Sequence, residues 1–349
     1  MKSTGPHAAE TRPAGASFEQ SGQHALARIW RAADTHPAVL LLRPMSALFG
    51  ALVRTRRALY ERGWRQPQRV KIPVISVGNL TVGGTGKTPL TRWLVEGLLA
   101  RHQRPAVLHG GYADDEPALH RIWHPDVKVY VGRERSASAH IAVAQGATVL
   151  VLDDGRQHLR LARDLDIVLV AAETWTQPRR LLPAGAWREP LGTLRSAGLI
   201  VVTRKAASAE QAQAVLHELT AYTEQNVAVI AWLALSGWTQ LGTLEARPVP
   251  AEAFVVCGIA EPGALVEQLE VAGTRVSGLL AFADHHEFSR NDLERAQRQA
   301  AGRTIVITEK DAVKIARLDP TFRALVAKQQ VVIERGQHEL WAAVERVLA

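Results

Sequence analysis

A glycine-rich junction constrains this chain more than any other feature. Residues 79–98 read NLTVGGTGKTPLTRWLVEGL, with Gly83, Gly84 and Gly86 set between the apolar run PVISVG and an amphipathic stretch from Thr88 to about Leu99. An apolar run followed by three- and four-residue periodicity predicts a strand, a turn and a helix. Backbone N–H groups of such a turn, and of the helix it opens, converge and hold phosphate oxygens. Lys87 and Thr88 complete the end of the pattern G-x-x-x-x-G-K-S/T, in which the lysine reaches the terminal phosphates and the hydroxyl ligates Mg2+. The pattern is incomplete, because Thr81 stands where its first glycine belongs. The segment Thr81, Val82, Gly83, Gly84, Thr85, Gly86, Lys87 and Thr88 is the candidate cradle for a nucleoside triphosphate. A glycine-rich turn with an incidental lysine is the plainer alternative.

Such a cradle needs a carboxylate across from it for the metal ion. The apolar residues Val149 to Leu152 lead into Asp153 and Asp154. Carboxylates at the end of a buried strand beside the phosphate-loop strand meet that need, although alone the pair also suits a turn. A GTPase would require N/T-K-x-D. The nearest text, TEKD at 308–311, has Lys310 and Asp311 adjacent, so the spacing fails. Nothing reads adenine positively either.

Along the chain, strand-like runs alternate with helical ones: KIPVISVG, RPAVLHGG, ATVLVLDD, LDIVLVAA, AGLIVVTR and NVAVIAWLA all fall before residue 236. Nearly unbroken apolar strands alternating with helices predict an α/β fold, here a P-loop NTPase-like parallel sheet covered on both faces. Residues 236–250, SGWTQLGTLEARPVP, break the rhythm and are expected to be a linker. The alternation then resumes, predicting a second, smaller α/β domain over 251–337 and a C-terminal helix over 338–349. The first domain is expected over 23–235. The small, polar residues 1–22 are expected to form a disordered tail.

A length of 349 residues suits two domains. The single cysteine, Cys257, excludes an internal disulfide framework and points to a reducing, cytosolic compartment. Thirteen histidines occur without H-E-x-x-H spacing. The net charge of +8 and pI near 10.0 call for an acidic partner: nucleic acid, an anionic membrane or a phosphorylated substrate. No run reaches the ~18–20 consecutive apolar residues of a spanning helix, so an integral membrane protein is not expected. Met45, Leu48, Phe49, Leu52, Val53, Leu59 and Tyr60 nevertheless recur on one helical face, with Arg54, Arg57, Arg62 and Arg65 largely outside it. Such a helix either lies in the plane of an anionic membrane surface or packs on its own domain with a solvated basic face. Arg56 interrupts the stripe.

Five segments together resemble the tetraacyldisaccharide 4'-kinase (lipid A 4'-kinase) family: PVISVGNLTVGGTGKTP at 73–89, DDGRQHLRLARDLDIV at 153–168, RLLPAGAWREPL at 180–191, FADHHEF at 282–288 and TEKDAVK at 308–314. Phosphate-loop text is widely shared, whereas DDGxQH, LLPAGxxREPL and DHHxF in this order are specific. The resemblance runs from about Leu41 to the C-terminus. It implies a peripheral enzyme at the cytoplasmic face of the inner membrane that uses ATP and Mg2+ to phosphorylate the 4'-hydroxyl of a lipid A disaccharide 1-phosphate precursor. The implied partners are that lipid and the anionic inner-membrane surface, not nucleic acid.

The resemblance also implies roles for residues. Lys87 and Thr88 become phosphate and magnesium ligands, and Asp153 and Asp154 the metal carboxylates. Gln157 and His158 are the polar pair after them, and Arg188 and Glu189 lie at the substrate side of the cleft. Arg135, or Arg133 in an alternative register, lines the nucleotide cleft. Asp115, in ADDEPALH, is the implied base for the sugar hydroxyl, supported by His285 from the second domain. Two departures stand out. Gly110 replaces a family arginine, and a stretch before the DEP text that relatives carry is nearly absent, which leaves Asp114 as an alternative register for Asp115. Two rival readings stay open. A P-loop kinase of a soluble sugar or cofactor would not need the apolar face over 45–60. A nucleotide-dependent binding module would need neither Asp115 nor His285.

Overall fold

The apolar run before the glycine-rich turn is strand β1 (Val74–Asn79) and is buried along its whole length. It lies between β4 (Val149–Asp153) and β5 (Leu165–Ala171) inside one sheet in a computed structural model that describes residues 29–111, 114–223, 229–243 and 245–349. The tail expected at 1–22 lies outside the described residues. Helix α1 (Pro37–Glu61) precedes β1; α2 (Lys87–Ala100), β2 (Pro105–His109), α3 (Asp115–Trp123), β3 (Lys128–Val131), α4 (Arg135–Ala144), β4 (Val149–Asp153), β5 (Leu165–Ala171) and β6 (Leu199–Arg204) follow it. Then come α5 (Ala209–Thr223), β7 (Val229–Gln240), β8 (Ala246–Arg247), β9 (Glu252–Cys257), α6 (Pro262–Val271) and β10 (Arg275–Ala281). The chain ends with α7 (Arg290–Ala300), β11 (Ile305–Thr308), α8 (Glu309–Leu318), β12 (Leu325–Arg335) and α9 (Gln337–Leu348).

Strand order is β10-β9-β11-β12-β7-β6-β5-β1-β4-β2-β3, with β8 beside β7. Pairing is parallel on both sides of β1 and antiparallel where β7 meets β12 and β8. The α/β fold expected from the alternating runs is thus present, and the parallel strands β1, β2 and β4 are buried along their whole length, as cover on both faces requires.

The linker expected at 236–250 is corrected by this sheet. Residues 236–240 continue β7, which pairs with β6 through its first residues and with β12 along most of its length. The two parts of the chain therefore share one sheet. Gly237 sits beside a register shift, where Lys328 and Gln329 face Gly237 and Leu235. An irregularity of this kind accepts glycine and polar residues inside a strand, which is why the composition reads as a break.

Helix α9 closes the chain but covers its first half. The Trp341 ring lies 5.2 Å from that of Trp93 on α2. A Cβ on Gly97 would come within 2.1 Å of the Trp341 ring, so this close approach requires glycine.

Helix α1 corrects a second expectation. At 25 residues it is, by length and composition alone, long and apolar enough to cross a bilayer. It does not pack through its apolar stripe. Val39, Ser46 and Gly50 are its buried residues; Ser46 Oγ donates to Leu181 O at 3.0 Å and accepts from Ala184 N at 2.9 Å. Leu41, Met45, Leu48 and Leu52 are exposed by 59–79%.

Candidate active site

β1 ends at Asn79 and hands the chain to the glycine-rich turn. Thr81 forms an antiparallel bridge with Trp187, and Val82 N–H donates to Ala186 O at 2.7 Å. Extended backbone of this kind needs no glycine, which accounts for the departure from the pattern. Left-handed freedom is used later, at Gly83 (φ 116°) and at Gly86 (φ 88°), the residue that caps α2. A Cβ on Gly86 would come within 2.4 Å of Leu233 Cδ1. Asn79 Nδ2 donates to Thr85 Oγ1 at 2.7 Å, and Thr203 Oγ1 donates to Thr85 O at 2.9 Å. These bonds tie the turn to β1 and β6.

β4 lies beside β1, with Asp153 opposite Val77. Lys87 Nζ is 3.7 Å from Asp154 Oδ1, and Arg188 Nη1 is 3.1 Å from Asp154 Oδ2. His120 Nε2 is 2.9 Å from Asp153 Oδ2. Burial works against charge on both carboxylates. His120 at Asp153, and Lys87 with Arg188 at Asp154, nonetheless hold both below the usual range. One oxygen of each, Asp153 Oδ1 and Asp154 Oδ1, is buried without a hydrogen-bond partner. Unsatisfied carboxylate oxygens on consecutive residues suit a hard divalent cation. Asp153, Asp154 and the Thr88 hydroxyl therefore fit Mg2+.

A neighbouring trio, His109, Glu116 and Asp153, brings possible ligand atoms within 4.8 Å of one another. Gly111 N–H donates to His109 Nδ1 at 3.1 Å, which places the imidazole proton on Nε2, where it bonds Glu116 Oε2 at 2.9 Å. That nitrogen is a donor, so the trio works as a hydrogen-bonded brace for the start of α3.

The opposite wall comes from the second half of the chain. A cavity of about 850 Å³ is lined by the glycine-rich turn, Asp154 and Arg188 on one side and by Asp284, His285 and Lys310 on the other. His285 adopts φ 60°, and its Nδ1 lies 3.1 Å from Asp115 Oδ2 and 3.2 Å from Oδ1. Asp115, not Asp114, meets the histidine. Lys314 Nζ is 3.0 Å from Asp115 Oδ2. Lys310 Nζ is 2.9 Å from Asp284 Oδ1 and 3.1 Å from His285 Nε2.

These contacts move the two titrations in opposite directions. Burial opposes charge on Asp115, but the His285 hydrogen bond and the Lys310 and Lys314 charges outweigh it and hold the carboxyl far below its ordinary range. Burial also opposes charge on His285, and there the Asp115 hydrogen bond prevails and raises the imidazole. A carboxylate held so low is a poor proton acceptor at neutral pH. The expectation that Asp115 is the base does not fit this arrangement.

Other expected contacts serve as struts beneath the cavity wall. Arg135 is 2% exposed, and its Nη1 donates to Asp154 O at 2.8 Å; this burial corrects the expectation that it lines the nucleotide cleft. Glu189 is 3% exposed and accepts from Arg57 Nη1 at 2.8 Å. Gln157 Nε2 donates to Asn79 O at 2.9 Å and to Glu189 Oε1 at 3.1 Å. His158 is half-buried. Burial and the charges of Arg135, Arg160 and Arg163 push its imidazole down to about 4. Of the residues expected to touch substrate, Arg188 alone lines the cavity among the described residues. Sequence reasoning missed His120, Lys310 and Lys314. TEKDAVK carries the signal for the two lysines, which stand four residues apart on one face of α8.

The family model described as Tetraacyldisaccharide-1-P 4'-kinase matches residues 38–122 and 113–349. The chain belongs to the tetraacyldisaccharide 4'-kinase family. The two matched stretches overlap across 113–122. A tetraacyldisaccharide 4'-kinase of Halorhodospira halophila is 38% identical over 326 residues, covering 88% of this chain and 92% of that protein. One from Anaeromyxobacter sp. strain Fw109-5 is 38% identical over 360 residues, covering 92% and 96%. Among solved structures, LpxK from Aquifex aeolicus in complex with ATP aligns with a TM-score of 0.70 at 25% identity, over 89% of this chain and 100% of that one.

Proposed function

We infer that this cavity is where the γ-phosphoryl group of ATP passes to the 4'-hydroxyl of a tetraacyldisaccharide 1-phosphate, the reaction for which the family is named. One observation carries the reading: Lys87, Asp154 and Arg188 face His285 across a single cavity. Amides of the glycine-rich turn bind the β- and γ-phosphates. Lys87 and Arg188 offset negative charge on the transferring oxygens. Thr88, Asp153 and Asp154 would hold Mg2+, which when bound would add to this neutralisation. His285 Nε2 accepts the hydroxyl proton, while Asp115 fixes the Nδ1–H tautomer and stabilises the imidazolium that forms.

The lipid reaches the site along α1. Its exposed leucine and methionine stripe contacts acyl chains, while Val39, Ser46 and Gly50 keep the other face on the protein. A helix held on one side in this way lies in the interface rather than across the bilayer. The placement is peripheral, at the cytoplasmic face of the inner membrane, where ATP is found. Anionic lipid and phosphorylated substrate account for the basic balance without nucleic acid. The test is transfer of labelled γ-phosphate to a lipid A disaccharide precursor with a soluble disaccharide as control. Labelling of the lipid alone supports the reading, and equal labelling of the soluble sugar would overturn its lipid part.

A further inference from the structure

The His285 nitrogen that faces the cavity is already occupied. Nδ1 is committed to Asp115, and Nε2 accepts from Lys310 Nζ at 3.1 Å. Lys310 also lies 2.9 Å from Asp284 Oδ1, and 4.0 Å from both Asp115 Oδ2 and Glu116 Oε1. Its ammonium thus sits where an acceptor hydroxyl would have to bond, and it lines the same cavity as Lys87 and Thr88.

We propose that Lys310 is a catalytic lysine that caps His285 Nε2 before ATP binds and transfers to the γ-phosphoryl group when ATP enters, uncovering the nitrogen for the sugar hydroxyl. The inference rests on the reading of His285 as proton acceptor. An ammonium on a flexible four-carbon stem can exchange one anionic partner for another. Asp284, Asp115 and Glu116 hold it in the resting site, and an incoming triphosphate offers a denser negative charge. Its departure removes a cation that disfavours protonation of His285, so one movement both frees the base and strengthens it. The groups facing His285 are then Asp115 from α3 and Asp284 from its own turn, with Lys314 of α8 behind them at 3.0 Å from Asp115 Oδ2. In the transfer step the hydroxyl O–H bond breaks and its proton goes to Nε2. The oxygen bonds the γ-phosphorus as the bond to the β-γ bridging oxygen breaks, and ADP leaves carrying that electron pair. Lys310 accompanies the phosphoryl oxygens in the role that a cationic finger plays in other phosphoryl-transfer sites.

The experiment compares Lys310→Met, Lys310→Gln and His285→Ala with the wild type, using ATP, Mg2+ and the lipid disaccharide in detergent micelles. ATP binding and thermal unfolding serve as checks on folding. Both lysine variants are expected to lose about 10²–10³-fold in kcat. The acidic limb of kcat/KM for ATP, which reports the ATP-free enzyme in which Lys310 still caps His285, should move to higher pH, because the cation that disfavours imidazolium is gone. A purely structural lysine would lower stability without moving that limb. If Lys310→Met does not fold, Lys310→Gln, which retains a donor for Asp284, decides the matter. Wild-type kcat or an unmoved limb in a folded lysine variant, with His285→Ala inactive, overturns the role of Lys310 alone. Near-native activity of His285→Ala overturns the base reading beneath it.

Discussion

His285 Nδ1 lies 3.1 Å from Asp115 Oδ2 although 170 residues separate the two in sequence. The contact joins the first residue of α3 to the DHH turn that follows β10, and so links the two halves of the chain at the cavity. Its polarity sets the chemistry: the carboxylate is fully buried and the imidazole presents Nε2 to the cavity.

That polarity predicts the pH profile. His285 accepts a proton only when neutral, and its pKa is raised above the ordinary histidine value of 6.5. Activity should therefore rise with pH through a midpoint above 6.5 and plateau beyond it. Steady-state kcat/KM for the lipid between pH 5 and pH 9 checks this, with His285→Ala expected to abolish the limb. A midpoint in the carboxylate range would return the role to Asp115.

Gly86→Ala should abolish nucleotide binding. Its left-handed backbone costs an L-residue about 1–2 kcal/mol, and the new methyl would meet Leu233 Cδ1 at 2.4 Å. Isothermal titration with ATP reads the loss. An affinity within threefold of wild type would mean that the turn does not hold phosphate in this conformation.

His120→Ala should lower the affinity for Mg2+ more than that for ATP itself. The imidazole is the hydrogen-bond partner of Asp153 Oδ2, and losing such a support typically costs ~10–100-fold in metal affinity. Titrating activity against Mg2+ gives the shift. An unchanged midpoint would place the metal on Asp154 without help from Asp153.

Helix α1 separates two effects that its sequence merges. Replacing the exposed residues Leu41, Met45, Leu48 and Leu52 with serine should reduce binding to anionic vesicles while leaving thermal stability nearly unchanged. Arg57→Gln should instead destabilise the fold by about 2 kcal/mol, because Arg57 makes a charged hydrogen bond to the buried Glu189, which keeps Arg156 at 3.6 Å. Vesicle flotation and chemical denaturation on both variants check the pair. A melted leucine variant, or a stable Arg57→Gln, would reverse the assignment of the two faces.

Much of this site could be read along the chain, because its parts are local. The turn at 81–88, the strand before it and the Asp153–Asp154 pair each carry their chemistry in a few consecutive residues. What stayed hidden depends on pairing across distance. Ser236 and Gly237 look like a linker until β12 pairs with Leu235 and Gly237 on either side of Ser236. Arg135 and Glu189 look like ligands until Asp154 O and Arg57 bind them inside the wall. The apolar stripe of α1 suggests a packed face, yet the helix packs through Ser46 and Gly50, small residues that periodicity ignores. The direction of proton transfer was hidden for the same reason: ADDEP gives no hint that Lys310 and Lys314 converge on Asp115.

The most direct test is phosphate transfer to the lipid disaccharide at pH 8 by the wild type, His285→Ala and Asp115→Asn, with ATP affinity measured on each. With His285 as acceptor and Asp115 as its anchor, His285→Ala should lose about 10²–10⁴-fold in turnover while binding ATP as the wild type does. Asp115→Asn should lose less, because an amide oxygen can still accept from Nδ1–H. A His285→Ala enzyme that turns over at the wild-type rate would contradict the account.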